Sequence, residues 1–135
     1  MPRFVLLEHD LSGAAPGVEG AGTRHWDLMI EVPGKDALGT WRLLGDPMEE
    51  VSVVAKPIGD HRRAYLDYEG PVSRGRGVVR RVDTGVAEWL ERSETGMCVR
   101  LTGGLLRGRY VMAPGDGGWR FQRLGGDGDS ERRPG

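Results

Sequence analysis

Alternation of apolar and polar side chains along the chain predicts a series of short β-strands. Between Arg24 and Val32 the apolar residues Trp26, Leu28 and Ile30 fall on every second position, and successive side chains of a strand point to opposite faces. Similar runs recur between clusters of Gly, Pro and Asp that favour turns. The other predicted strands span 3–10, 38–44, 50–58, 74–82, 86–92, 98–102, 107–113 and 119–122.

Many short strands at this spacing, without a clear helical period, predict an all-β fold. We expect a small closed or partly open β-barrel of about eight short strands with little helix. The Asp-Thr-Gly segment at 83–85 is predicted to form a turn between two of these strands. The barrel domain is expected to occupy residues 1–123. Residues 124–135, rich in Gly, Asp, Ser, Arg and Pro, are predicted to form a disordered tail.

Length and charge narrow the class of protein. The 135 residues suit a single domain. A formal net charge of −1 predicts no general attraction to nucleic acid, so any phosphate binding must be local. The single cysteine, Cys98, excludes an internal disulfide framework. No apolar run approaches the ~20 residues of a membrane helix, and we expect a cytoplasmic protein without a membrane partner.

The polar face of the 24–32 strand carries an imidazole and a carboxylate, from His25 and Asp27. A rise of ~3.3 Å per residue places them about 7 Å apart along the strand. Neutral imidazole and carboxylate together suit a divalent first-row metal. The same two residues are also typical of an ordinary solvated strand face, so this pattern alone leaves both interpretations open.

Further short motifs occur in a distinctive order along the chain. They are His-Asp at 9–10, His-Trp-Asp-Leu-Met-Ile-Glu at 25–31, Asp-His at 60–61, Tyr-Leu-Asp-Tyr-Glu-Gly at 65–70, Val-Asp-Thr-Gly at 82–85 and Arg-Gly-Arg-Tyr at 107–110. In this combination they resemble the 3′-phosphoesterase domain of bacterial DNA ligase D. The resemblance covers roughly residues 3–123.

The resemblance implies a small β-barrel whose concave face holds a manganese-dependent site for trimming nucleic-acid 3′ ends in DNA repair. Such domains remove a terminal 3′ ribonucleoside and then the 3′-phosphate. By position, His9, His25 and Asp27 would bind Mn²⁺ or another divalent first-row metal, and His61 and Tyr65 would contact the scissile phosphate. The arginines expected to hold the nucleic-acid backbone are Arg42, Arg62, Arg63, Arg74 and Arg76. The implied partners are nucleic-acid 3′ ends and a separate repair ligase or polymerase.

Three differences from that family leave two functional hypotheses open. Met29 stands where the family has an arginine that holds the substrate phosphate, and the family lysine that follows Trp41 is missing. The two ligand histidines usually lie close together in the family sequence, whereas His9 and His25 lie 16 positions apart. Losing one charge-assisted contact to a transition state can cost about 10²–10³ in rate, and Arg42 is the candidate replacement. The first hypothesis is a metal-dependent phosphoesterase. The second, favoured by Met29, is a barrel of the same family that binds a nucleic-acid end or nucleotide without turnover.

Overall fold

Nine antiparallel strands provide nearly all of the regular structure in the computed structural model, which describes residues 1–115 and 117–125. The strands are β1 (Arg3–Asp10), β2 (Arg24–Glu31), β3 (Ala37–Leu43), β4 (Ser52–Arg62), β5 (Gly70–Pro71), β6 (Val78–Ser93), β7 (Gly96–Gly103), β8 (Arg107–Gly115) and β9 (Gly118–Gly125). One 3₁₀ helix of four residues, Arg63–Leu66, follows β4. Within the described ranges, no helix has the length and apolar character needed to cross a membrane.

The strands close into a barrel. Hydrogen-bonded neighbours run in the order β1-β2-β3-β4-β9-β8-β7-β6, and β6 pairs with β1 to complete the ring. Among the described strands, the two-residue β5 pairs with the first residues of β6 alone and stands outside the ring. The predicted all-β barrel of about eight strands is therefore confirmed, and its closure leaves no free edge in the ring.

Two strands depart from the predicted bounds. β4 has 11 residues and ends at Arg62, four positions beyond the predicted end. β6 has 16 residues and runs straight through the Asp-Thr-Gly segment. The predicted turn at 83–85 is therefore wrong. The predicted tail, 124–135, lies outside the described residues except for its first two positions, which end β9.

Packing explains why turn-forming residues occur inside β6. Gly85 lies opposite Gly103 of β7, and a Cβ on Gly85 would clash with the carbonyl oxygen of Thr102. The buried carboxylate of Asp83 accepts hydrogen bonds from the backbone N–H groups of residues 84, 104, 105 and 106. Gly85 thus permits close contact between β6 and β7, and Asp83 pairs the backbone N–H groups of the connection between β7 and β8. Both residues have these packing roles inside a continuous strand and do not form a turn.

The two faces of the barrel wall carry two separate apolar clusters. The larger cluster fills the interior and includes Phe4, Trp26, Leu28 and Ile30. The smaller cluster, which we call the outer cluster, consists of Val5, Leu7, Met29, Leu38, Leu66 and Val79. Because side chains alternate along β1 and β2, the outer cluster lies on the opposite side of the wall. Leu66, from the 3₁₀ helix, and Val72, from the connection to β6, pack on this cluster, so it is sheltered although it lies outside the ring.

Candidate metal centre

The pairing of β1 with β2 brings together two histidines that are distant in the sequence. His9 lies directly opposite His25, and Leu7 lies opposite Asp27. The side chains of His9, His25 and Asp27 share the face of Val5, Leu7 and Met29 and leave the wall on its outer side. The loop between β1 and β2 accommodates the 16-position separation at little cost, since doubling a loop's length costs only ~0.6 kcal/mol.

The three side chains converge closely enough to share one ion. One ligand atom from each of His9, His25 and Asp27 lies within 4.8 Å of the other two. The Oδ2 atom of Asp27 is 3.4 Å from Nε2 of His25 and 3.9 Å from Nδ1 of His9. Ligand bonds of ~2.0–2.2 Å place two ligands of one ion roughly 3–4 Å apart. The arrangement therefore fits a first-row divalent cation with little rearrangement.

The environment of His9 prepares its Nδ1 atom for coordination. Its Nε2–H donates a 2.6 Å hydrogen bond to the backbone carbonyl of Arg76, so in the neutral ring the lone pair is on Nδ1. A carbonyl behind the ring is the usual partner that orients a metal-binding histidine. Burial lowers the pKa of His9 below its ordinary 6.5, although the hydrogen bond to Arg76 acts in the opposite direction. The neutral form, which alone can ligate, is thereby favoured.

Two atoms of the cluster are buried without a hydrogen bond. Nε2 of His25 and Oδ1 of Asp27 find no hydrogen-bond partner within the described part of the chain, and these residues are only 8% and 4% exposed. Buried polar atoms are normally paired, and both atoms are good ligands for a metal. Two imidazole nitrogens and one carboxylate oxygen form a donor set that suits Mn²⁺ and its first-row neighbours. The residues therefore fit the ion that the resemblance implies.

Arg42 supplies a cation beside this cluster. It lies opposite Asp27 across the β2–β3 pair, with its Nε atom 3.5 Å from Oδ1 of Asp27. That distance gives an ion pair without a regular hydrogen bond, and Nε of Arg42 also has no hydrogen-bond partner among the described residues. The ion pair thus holds Arg42 at the metal cluster, with no hydrogen bond at its Nε atom.

The cluster opens into a pocket of about 100 Å³, which we call the metal pocket. His9, Asp27, Arg42, His61 and Tyr65 line it, so the structure brings both predicted phosphate-contacting residues to two of the three predicted metal ligands. The pocket lies on the outer face of the wall, beside the outer cluster and the chain that follows β4. The concave barrel face that the resemblance implied is instead filled by the interior core.

A bulge in β4 determines the direction of His61. Thr40 pairs with Ile58, and Leu38 pairs with His61, so one residue of β3 faces two residues of β4. This extra residue keeps both Ile58 and His61 on the outer face, where a regular strand would place them on opposite faces. Within the bulge Nδ1–H of His61 donates to the carbonyl of Gly59 at 2.9 Å. Its Nε2 is the ring atom that is left for a substrate.

The five predicted phosphate-binding arginines do not form one group. Arg42 and Arg76 line the metal pocket, and the Arg76 guanidinium donates to the hydroxyl and carbonyl oxygens of Ser73. The other three arginines, Arg62, Arg63 and Arg74, do not line this pocket. Arg63 forms an ion pair with Glu31, Arg74 occupies a left-handed backbone conformation at φ 64°, and Arg62 borders a neighbouring depression.

Sequence reasoning did not identify the apolar part of the pocket lining. Met29, Val72 and Val79 border the metal pocket, and Met29 is only 1% exposed because it belongs to the outer cluster. The alternation along β2 placed Met29 on the face of His25 and Asp27, but it could not show that this face is covered. No signal in the sequence pointed to Val72, which lies in the connection between β5 and β6.

Comparison with known proteins does not assign this chain to a family. No protein-family model matches the sequence, and no curated protein matches it significantly.

Proposed function

We propose that this protein is a metal-dependent phosphoesterase that acts on nucleic-acid 3′ ends. The observation that carries the proposal is the convergence of His9, His25 and Asp27 beside a pocket. His9 and Asp27 line that pocket together with His61 and Tyr65. Two of the three ligand residues carry buried atoms without a hydrogen bond. The ordered motifs that resemble the DNA ligase D phosphoesterase domain support the choice of substrate and of Mn²⁺.

The side chains around the cluster suit phosphate-ester hydrolysis. When bound, the ion would supply Lewis-acid polarisation of a phosphoryl oxygen and a water of lowered pKa. His61 is held by Gly59 through Nδ1–H, so its Nε2 faces the substrate. When the ring is protonated, Nε2–H would donate a proton to the leaving oxygen. The hydroxyl group of Tyr65 would donate a hydrogen bond to a nonbridging phosphate oxygen.

Arg42 takes the part of the missing family arginine in this proposal. It reaches the cluster from β3, across the strand pair from Asp27, whereas the family arginine would come from position 29 on β2. A guanidinium can pair with two phosphate oxygens at once. Because Nε of Arg42 lacks a hydrogen-bond partner within the described chain, turning toward a phosphate would break no hydrogen bond at that atom.

The burial of Met29 favours a second candidate function, a barrel that binds a nucleic-acid end or nucleotide without turnover. Met29 is enclosed by the outer cluster, so the site is built around an apolar residue where the family has a phosphate clamp. In this case the metal and Arg42 would hold a terminal phosphate, and no attacking water would be positioned.

An assay on defined 3′ ends tests both functions. Purified protein is incubated with primer–templates that end in a 3′-phosphate or a 3′-ribonucleotide, with and without Mn²⁺. We expect Mn²⁺-dependent conversion to a 3′-hydroxyl in the wild type and about 10²–10³-fold slower conversion in His61→Gln, as for loss of one transition-state hydrogen-bond donor. Turnover that persists unchanged in His61→Gln would remove His61 from the mechanism. Binding of 3′-phosphorylated ends without any conversion would select the second candidate.

The chemistry of the product indicates the proposed partners. A ligase and a polymerase both require a 3′-hydroxyl, which is what removal of a 3′-phosphate leaves. The proposed binding partner is therefore a nucleic-acid 3′ end, and a separate repair ligase or polymerase would use the product. The cytoplasmic location expected from the sequence stays a prediction.

A further inference from the structure

A second depression of about 230 Å³ adjoins the metal pocket. Arg62, Tyr65, Tyr68, Pro71 and Val72 border it, and Tyr65 and Val72 also line the metal pocket. A molecule whose phosphate reached the metal cluster could therefore extend directly into this depression. The volume is below the ~300–1,000 Å³ that is typical of sites for drug-sized ligands, so it suits one ring system.

A row of aromatic rings connects the two pockets. The ring centroids of His61 and Tyr65 are 5.5 Å apart, and those of Tyr65 and Tyr68 are 5.7 Å apart, with each pair in an edge-to-face arrangement. The Tyr68 hydroxyl donates to the carbonyl of Pro71, which orients the ring, while 37% of the residue stays exposed. An oriented and partly exposed aromatic ring is a stacking surface that needs little further ordering.

The charge beside the rings is positive. Arg62 is exposed, borders the depression and makes no side-chain hydrogen bond to the start of the 3₁₀ helix. An exposed guanidinium can contact the face of a nucleobase or an adjoining phosphate.

We propose that this depression, which we call the base subsite, binds the nucleobase of the nucleotide whose phosphate lies at the metal pocket. The inference rests on the proposed function and narrows its substrate class to nucleotides, as opposed to phosphate esters in general. Stacking tolerates every base because each base has a π face. The subsite therefore recognises the presence of a base and not its identity.

Equilibrium binding tests the base subsite independently of turnover. Calorimetry in the presence of Mn²⁺ uses the His61→Gln background, in which conversion of the ligand is slow, and compares adenosine 3′-phosphate with glycerol 2-phosphate. Glycerol 2-phosphate carries the same kind of secondary phosphate ester without a base. We expect protein with the native Tyr68 to bind the nucleotide about 5- to 150-fold more tightly, as stacking of one base on an aromatic side chain provides. Equal affinity for the two ligands, or binding of neither, would overturn the proposal.

Three variants test whether the preference for adenosine 3′-phosphate over glycerol 2-phosphate depends on Tyr68. Tyr68→Ala should abolish it and leave the affinity for glycerol 2-phosphate unchanged, which also shows that the metal pocket is intact. Tyr68→Phe retains the ring and should retain the preference. Leu90→Ala removes a side chain of similar exposure, 40%, near the end of β6 opposite to Val78 and Val79, and it should behave as wild type. A preference that survives in Tyr68→Ala would exclude this subsite.

The same comparison separates failure of the subsite from failure of the proposed enzyme. If the protein prefers adenosine 3′-phosphate through Tyr68 but converts no 3′ end with any metal, the base subsite is supported and the proposed catalytic function is refuted. If the protein converts a normal and an abasic 3′-terminal nucleotide with equal kcat/KM, the proposed function is supported and the base subsite is refuted.

Discussion

Replacing Asp27 with asparagine should remove the metal response of this protein while leaving its fold in place. Asn has nearly the same shape as Asp, but it lacks the charge that an ion requires between His9 and His25. The metal-free stability should change little. The ion pair at 3.5 Å to Arg42 is worth about 5 kcal/mol at an effective dielectric constant of ~20, and the desolvation of two partly buried charges opposes it by several kcal/mol.

The expected size of the metal effect follows from mass action. At an Mn²⁺ concentration ~100 times Kd, binding to the native state adds about 2.7 kcal/mol to the free energy of unfolding. For a chain of 135 residues, each kcal/mol corresponds to roughly 3–5 °C in Tm, so the wild type should gain about 8–13 °C. Loss of a ligand should weaken binding at least as much as loss of an outer partner, about 100-fold. Asp27→Asn would then gain about 0.4 kcal/mol, or ~1–2 °C.

Thermal unfolding followed by circular dichroism measures this difference. Chelator-treated wild type, Asp27→Asn and Asp36→Asn are heated with and without Mn²⁺. Asp36 is exposed in the turn between β2 and β3, so Asp36→Asn makes the same chemical change outside the cluster and should respond as the wild type does. An equal gain in Tm for Asp27→Asn and wild type would remove Asp27 from the site. No gain in the wild type with Mn²⁺ or any other first-row divalent ion would refute the metal centre.

Three further outcomes are expected. Because burial lowers the pKa of His9, the unfolded chain binds more protons than the native state just below pH 6.5. The metal-free protein should therefore lose stability as pH falls through that range. In urea titrations the free energy of unfolding should depend less steeply on pH in His9→Gln than in the wild type, and an unchanged dependence would contradict this. Met29→Arg places a charge in the outer cluster, so it should lower the free energy of unfolding by ~3 kcal/mol or more and slow 3′-end conversion. Arg42→Ala leaves the buried Asp27 without its paired cation, so it should lose some stability, and the folded protein should convert ~10²–10³-fold more slowly. A faster Met29→Arg enzyme would show that the clamp is incomplete. Asp83→Ala leaves four backbone N–H groups without their acceptor and should cost ~3 kcal/mol or more in urea unfolding, with Asp36→Ala near wild type.

Much of the barrel was predictable because strand alternation is a local property. The period of two in 24–32 depends only on which side chains prefer the interior, and it correctly separated Trp26, Leu28 and Ile30 from His25 and Asp27. β1 and β2 were predicted to within one residue at each end. The Asp-Thr-Gly segment misled the prediction because its residues favour turns, while its actual role, close approach to β7, depends on a distant partner.

The candidate site was likewise predictable only in part, because its geometry depends on contacts between distant residues. Once His9 and His25 are known to lie on polar strand positions, their convergence still requires the β1–β2 register, which pairs them directly. The placement of His61 depends on a one-residue bulge that no spacing in the sequence announces. Arg62, Arg63 and Arg74 look equivalent to Arg42 in the sequence, but pairing with Asp27 across β2 and β3 is specific to Arg42.

The sequence by itself determined the fold class, the interior face of each early strand and the chemical types available for a metal site. These follow from side-chain hydrophobicity and a two-residue period, which need no knowledge of the partner strand. The tertiary structure alone decided that the barrel closes through β6 and β1, that the polar face is sheltered by the 3₁₀ helix, and that Tyr68 lies beside the metal pocket. The reason is that register, bulges and burial are set by contacts between residues far apart in the chain, and each strand's own sequence is compatible with several such arrangements.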